Sequence, residues 1–325
     1  MEYTTLGTTG LSVSRLCLGC MSFGSTDWHE WVLEEQESRE VIERALDLGI
    51  NFFDTANIYS YGESERILGD VLAEYDRDAQ VVATKTYFEM DETNRHSGGL
   101  SRKAIEQEVT NSLDRLGMDT VDLLQTHRWD DETPIETTLR ALDDTIRRNQ
   151  TRYVGASSMW AYQFAEALHT SDRLGLERFA TMQNQYSLAY REEEREMLPL
   201  CQRENIGVIP WSPLAKGFLA RPHEGIERTT RGQTDDLLRN RPYDVDSNLE
   251  INERVEEMAA EKGVSMAQIA LAWLLHKEWI DAPIIGTSSV EHLEEAVEAL
   301  EIKPTDSDLA YLEEPYEPLP VVDHD

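Results

Sequence analysis

The sequence predicts an α/β fold: a (β/α)8 TIM barrel with an N-terminal hairpin and a long insertion after the seventh strand. Three observations predict it. Eight short apolar runs alternate with amphipathic, charge-faced segments along most of the 325 residues, which is the pattern of a parallel sheet. Eight such units in about 250–300 residues is the size of a closed barrel. No strand is followed by a G-x-G-x-x-G turn, which disfavours the alternative, an open doubly wound sheet.

In chain order, "TLGTTGLSVSRL" reads as a small hairpin that plugs one end of the barrel. The strands are "LCLGCM" (16–21), "NFFDTA" (51–56), "QVVATK" (80–85), "VDLLQTH" (121–127), "RYVGASS" (152–158), "FATMQN" (179–184), "GVIPWSP" (207–213) and "APIIG" (282–286). Helix-like stretches lie between them, such as "SREVIERALDLG" (38–49) and "SRKAIEQEVTNSLDRLG" (101–117). In the second, Ile105, Val109, Leu113 and Leu116 recur at helical spacing. "TPIE" (133–136) reads as a capping box with Pro at the first helical position, and Asn149 as a left-handed C-cap. With no linker or low-complexity segment, residues 1–325 read as a single domain. Within it, 215–246 form an insertion and 304–325 an irregular tail ending in the Pro-rich, acidic "EEPYEPLPVVDHD".

The charge balance is extreme: 63 Asp+Glu against 30 Lys+Arg, a net charge of −33. Six of the basic residues are lysines, at 85, 103, 216, 262, 277 and 303. Such a charge repels itself in dilute buffer, whereas at about 1 M salt the screening length falls to about 3 Å. The acids are spread along the whole chain, so an acidic, lysine-poor surface adapted to a salt-rich cytoplasm is expected. Nucleic acid and anionic membranes are poor partners for it. No run of about 20 apolar residues is present to span a membrane, and "MEYTTLGTTGLSVSRL" has no signal-peptide pattern. Cys17 and Cys20 form a C-x-x-C, but within a strand, and no second Cys or His pair completes a zinc site.

The strand ends carry polar groups where core residues are expected. Asp54 lies near the end of strand two, with Tyr59 just beyond it; Lys85 closes strand three and His127 strand four. Ser157 and Ser158 close strand five, Gln183 and Asn184 strand six, and Trp211 and Ser212 lie near the end of strand seven. A barrel gathers all eight C-terminal strand ends at one face, where active sites sit. As a set the groups make chemical sense. A phenol of pKa about 10 is a poor acid near neutrality, and an adjacent ammonium lowers that value. Lys85 supplies such a charge, Asp54 holds it, and His127 offers an N–H to polarise a carbonyl oxygen.

"FFDTANIYSYGESERILG", "VVATK", "DLLQTHRWD", "RYVGASSM", "MQNQYSL", "PWSPLAKGFL" and "PIIGTSSVEHLEEAVEAL", in this order from about residue 3 to residue 303, resemble the aldo-keto reductase superfamily. The likeness is nearest to its prokaryotic branch similar to potassium-channel beta subunits. The resemblance implies a catalytic tetrad of Asp54, Tyr59, Lys85 and His127, with Tyr59 as proton donor. It implies Ser157, Ser158 and Gln183 on the nicotinamide carboxamide and Trp211 stacked on the ring. Ser212, Leu214, Lys216, Gly217 and Leu219 would wrap the pyrophosphate. Gly286, Ser288, His292 and Glu295 would hold the adenosine end, and Cys20, Met21 and Asp54 would complete the cofactor contacts. No metal is implied. The residues agree on the adenosine segment: "SSVE" opens a helix with a capping-box pattern, and free N–H groups at a helix start attract anions. Residues 216–241 carry Lys216 and Arg221, Arg228, Arg231, Arg239 and Arg241 against four acids, a local +2 that suits a phosphate clamp. Ser288 and Ala296 depart from the family, where NADPH users often carry Arg or Lys at the first and Asn at the second.

The function expected is hydride transfer from NAD(P)H to an aldehyde or ketone in the cytoplasm, with NADP preferred and NAD the alternative cofactor. The partner is a small-molecule carbonyl substrate. The alternative is a slow-turnover regulatory protein that keeps the cofactor site; a metal-dependent barrel hydrolase is disfavoured because the eight histidines show no His-x-His pair. Trp28, Trp31, Tyr87, Phe88 and Trp129 lie in or near loops at the active face, where they would line an aromatic pocket. The sequence specifies neither one carbonyl compound nor an oligomeric state. From the charge, the melting temperature and activity should rise together between low salt and about 2 M KCl. Calorimetry and assay in parallel check this, and full activity with an unchanged melting temperature in dilute buffer contradicts it.

Overall fold

The computed structural model describes residues 1–235, 243 and 245–324. Arg239 and Arg241 of the expected clamp lie outside them. Strands β1 (Tyr3–Thr5) and β2 (Ser12–Ser14) pair antiparallel as the expected hairpin. Eight parallel strands follow: β3 (Cys17–Gly19), β4 (Phe52–Asp54), β5 (Val81–Thr86), β6 (Val121–Thr126), β7 (Thr151–Ser157), β8 (Thr181–Gln183), β9 (Gly207–Val208) and β10 (Ile284–Gly286). Their order is β10-β3-β4-β5-β6-β7-β8-β9. The ring closes where Ile284 N donates to Pro210 O at 2.9 Å and Asp281 N to Val208 O at 3.0 Å. An open doubly wound sheet would leave those edges apart.

Among the described residues the α-helices are α1 (Glu35–Asp47), α2 (Glu63–Leu72), α3 (Arg102–Leu116), α4 (Ile135–Arg147), α5 (Ala161–Leu174), α6 (Met197–Glu204), α7 (Thr230–Thr234), α8 (Asp246–Lys262), α9 (Met266–Leu275), α10 (Val290–Glu298) and α11 (Asp306–Glu313). Helix α3 shows how sequence fixes ends and faces. Ser101 caps it by accepting from Ala104 N, Gly117 leaves it at φ 63°, and Ile105, Val109, Leu113 and Leu116 are all buried. Asn149 sits at φ 58° after α4, as its position implies. The start of α4 differs from the expected box. Pro134 stays extended and its carbonyl takes the N–H groups of Thr137 and Thr138, so Pro134 is itself the cap and Thr133 lies outside the helix. The tail is also not irregular throughout. Thr305 and Asp308 form a capping box that starts α11, and Leu312 anchors that helix in the core.

Strand residues alternate between two apolar layers. Phe53 and Val82 face the helices, while Phe52, Val81 and Ala83 point into the barrel with Leu6 and Val13 of the hairpin. Burial on both faces explains why the strands read as unbroken apolar runs. Cys17 belongs to the inner layer and Cys20 to the outer one, both as buried free thiols.

The hairpin is held at the N-terminal end by a close approach of backbones. Gly7, at φ 47°, donates to Asp281 Oδ2 at 3.2 Å, the same oxygen that takes Val208 N at 3.0 Å. A Cβ on Gly7 would stand 2.6 Å from Gly207 N. Gly7→Ala should therefore cost about 1–3 kcal/mol. Gly10→Ala should cost less, because Gly10 shares a positive φ but has open space around it. Denaturant titrations of both variants measure the difference, and equal losses would show that the plug is loosely packed.

Candidate active site

The C-terminal mouth of the barrel receives Asp54 from β4, Lys85 from β5, His127 after β6, Ser157 from β7 and Gln183 from β8. Lys85 is fully buried, and its ammonium satisfies three acceptors. It forms an ion pair with Asp54 Oδ1, donates to Thr55 O at 3.0 Å, and donates to Tyr59 Oη at 3.2 Å. A lone ammonium could not be buried here. Burial pulls its pKa down, but Asp54 and Tyr59 outweigh that, so Lys85 is held charged above its ordinary value.

Tyr59 corrects one expectation. Burial pushes its phenol up, Lys85 opposes this and Asp54 adds to it, so the pKa ends above the ordinary tyrosine value rather than below. Desolvation of the phenolate exceeds the pull of the ammonium, because the phenol lies in the closed wall of the site. His127 is held well below its ordinary value, first by burial and then by Lys85 and Arg128, so it is neutral at pH 7. Its ring meets that of Tyr59 edge-on at 5.8 Å and that of Phe88 at 4.8 Å.

The loop carrying Tyr59 is locked from several sides. Thr55 N donates to Ala83 O at 2.9 Å. Ser64 Oγ donates to Cys20 O at 2.7 Å, and Thr55 and Ser64 share a hydrogen bond of 2.9 Å. Ser60 and Tyr61 adopt positive φ, and Ser60 fills the space a Cβ on Gly24 would need. Sequence reasoning missed Gln125. It is fully buried, and its Nε2 donates to Asp54 Oδ2 at 2.9 Å. Its position after Leu123 and Leu124, two residues before His127, was the available signal.

Beside the tetrad, Gln183 Nε2 also donates to Asp54 Oδ2, at 2.9 Å. Trp211 Nε1 donates to Ser158 Oγ at 3.2 Å, Ser157 Oγ to Gln183 O at 2.7 Å, and Ser158 N to Asn184 Oδ1 at 2.9 Å. This braces a half-buried indole next to the carboxamide-type groups. Ser212, Leu214, Lys216 and Gly217 follow in a half-buried turn. Leu219 departs from its expected place: its side chain is core and its N–H is spent on Leu214 O. Cys20 departs likewise, with its thiol in the outer apolar layer and its carbonyl on Ser64; Met21 beside it is half-buried. At the other end, Gly286, Ser288 and His292 are exposed and Glu295 is half-buried, while Ala296 is core. The cap of α10 is Ser289, which accepts from His292 N, so Ser288 lies one residue outside the expected box. In the insertion, Arg231 lies 4.3 Å over the Trp31 ring and pairs with Asp235 at 2.9 Å. It ties α7 to the loop after β3.

The aromatic expectations divide. Trp28 lies 6.2 Å from Tyr59, and Phe88 sits on His127. Trp31 stacks on His29 at 5.2 Å, Tyr87 meets Phe88 at 5.3 Å, and Trp129 turns its indole N–H to Asp131 at 3.0 Å.

An eight-stranded parallel barrel brings Asp54, Tyr59, Lys85 and His127 together at its mouth. The chain belongs to the aldo/keto reductase family, whose model matches residues 15–317. It is 43% identical to a Schizosaccharomyces pombe protein provisionally named an aryl-alcohol dehydrogenase, over 98% of this chain and 97% of that one. It is 43% identical to versiconal hemiacetal acetate reductase of Aspergillus parasiticus, over 98% of each chain. It is 40% identical to an aldo-keto reductase of Alternaria alternata, over 99% of this chain and 93% of that one.

The neutral His127 sets a pH dependence. The unfolded chain takes up its proton near pH 6.5, while the native ring resists protonation to lower pH. The unfolded state therefore binds more protons, and stability falls progressively as pH drops below about 6.5. His127→Gln should remove this share, narrowing the loss of stability between pH 8 and pH 5.5 relative to wild type. Denaturant midpoints at both pH values measure it, and an unchanged loss would mean that the native ring protonates normally.

Proposed function

We propose that the protein reduces aldehydes or ketones with NAD(P)H, with Tyr59 as the proton donor. The observation that carries this reading is the Tyr59 hydroxyl 3.2 Å from a buried ammonium that is itself paired to Asp54. The surrounding residues fit the cofactor. Asp54 accepts the Gln183 amide N–H, which leaves the amide oxygen for a carboxamide. The Trp211 indole is pinned at a fixed tilt by Ser158, and Lys216 and the start of α10 offer positive potential for phosphates. When bound, the nicotinamide supplies the hydride. The neutral imidazole of His127 donates an N–H to the carbonyl oxygen and polarises it. The raised pKa of Tyr59 keeps the phenol protonated at neutral pH, and it passes its proton to the oxygen as charge develops there. The Lys85 ammonium stabilises the phenolate that remains, and Asp54 holds Lys85 in place.

Aromatic aldehydes are the substrate class favoured. Trp28 and Phe88 stand on Tyr59 and His127, and a relative's name refers to aryl alcohols. For the cofactor, NADPH is favoured modestly over NADH: Ser288 is exposed and outside the helix cap, so its hydroxyl can meet a 2′-phosphate without adding charge. The acidic, lysine-poor composition supports a salt-rich cytoplasm as the setting. The likeness to the prokaryotic branch rests on the motifs; the relatives named above are fungal.

Tyr59→Phe should lower kcat for benzaldehyde reduction by about 10²–10⁴-fold while NADPH affinity stays near wild type. Fluorescence titration with NADPH and NADH, alongside steady-state assay, checks this. Wild-type turnover by the variant would transfer the proton-donor role to His127 or water, and tighter binding of NADH would reverse the cofactor preference.

A further inference from the structure

Gln125 is not among the residues the family resemblance brings to the site, yet it touches both halves of it. Its side chain is fully buried, opposite Lys85 in the β5–β6 register. Gly155, on the neighbouring strand β7, makes room for it: a Cβ there would stand 3.1 Å from Gln125 Cγ. Its Nε2 donates to Asp54 Oδ2 at 2.9 Å, and its Oε1 accepts from Gln183 Nε2 at 3.1 Å.

The orientation of both amides follows from chemistry. An ionised carboxylate only accepts hydrogen bonds. Asp54 Oδ2 lies 2.9 Å from the amide of Gln125 and 2.9 Å from that of Gln183, so each must turn its NH2 toward it. With its NH2 on Asp54, Gln125 turns its oxygen toward Gln183, and that oxygen takes the second N–H of Gln183. Both N–H bonds of Gln183 are thereby spent, and what it retains for a ligand is an acceptor. A nicotinamide carboxamide, which carries an NH2, matches that acceptor.

We propose that Gln125 is a positioning residue that couples cofactor recognition to proton donation, by holding Asp54 for the Lys85–Tyr59 pair and fixing the amide of Gln183 in its acceptor orientation. The proposal rests on the nicotinamide reading given above. With Leu at this position, Asp54 loses a charge-assisted hydrogen bond in a dry interior, and Gln183 is left with a spare N–H and only its bond to Asp54 to hold its amide in place. Both losses follow from one substitution, and neither removes a group that touches the reacting atoms.

The test compares wild type, Gln125→Leu and Gln125→Glu. It measures NADPH affinity by fluorescence titration, kcat and KM for benzaldehyde from pH 5 to 9, and the melting temperature of the ligand-free proteins. Gln125→Leu is expected to weaken NADPH binding and lower kcat, each by about 10–100-fold, with KM for the aldehyde little changed. Gln125→Glu supplies a signature that a packing role would not give. Its protonated carboxyl can donate to Asp54 and accept from Gln183, whereas the ionised form sets two carboxylates against each other. Its kcat and NADPH affinity should therefore approach wild type at pH 5 and collapse as pH rises. Wild-type affinity and kcat in Gln125→Leu, or a Gln125→Glu profile parallel to wild type, would overturn the proposal. If Gln125→Leu fails to fold, the Gln125→Glu profile decides. Failure of the wild-type protein itself to bind NADPH would instead overturn the nicotinamide reading, and this proposal with it.

Discussion

The buried ion pair between Lys85 and Asp54 is the interaction around which the mouth of this barrel is organised. Two opposite charges at this depth are tolerated because each is also hydrogen-bonded: Lys85 to Thr55 O and Tyr59 Oη, Asp54 to Gln125 and Gln183. Replacing the pair with apolar residues would cost the fold little in principle, so its presence points to function. The pair also fixes the neighbours. Tyr59 can be placed where its hydroxyl meets Lys85 because the loop after β4 is strapped to β5 and to Cys20, and His127 is kept neutral partly by the same ammonium.

Electrostatics act on two scales that barely communicate. The surface carries the −33 net charge, where salt screens each interaction over a few ångströms. The interior pair is shielded from ions, so the salt needed to quiet the surface leaves the chemistry of Tyr59 and Lys85 nearly untouched.

Much of this was legible in the sequence because periodicity and strand-end chemistry are local signals. All eight strands were visible, since strands buried on both faces read as unbroken apolar runs, and the strand-end polar residues were visible as interruptions of those runs. What escaped depends on contacts between distant segments. Gln125 looks like one polar residue in a strand until β4 and β8 place Asp54 and Gln183 beside it. The pKa of Tyr59 could not be read from its neighbours alone, because the sign depends on how deeply the wall buries it. Leu219 and Cys20 matched motif positions, yet their side chains serve the outer apolar layer. Helix α11 hid behind an acidic, Pro-rich tail because its capping box uses Asp308 in place of the more usual Glu or Gln.

The seam of the barrel has a consequence for how the site is assembled. Strands β3 to β6 neighbour one another in sequence and in space, so Asp54, Lys85 and His127 can come together through relatively short loops. The pairing of β10 with β3 joins Ile284 to Cys17 across almost the whole chain, and closing a loop of that length carries a larger entropic cost and is slow. Of the residues expected to hold a dinucleotide, Met21 just after β3 and Gly286 at the end of β10 flank this edge. A ligand that grips both sides of the seam binds the closed ring and not its open precursor. Such a ligand would add its binding free energy to the closure of the ring.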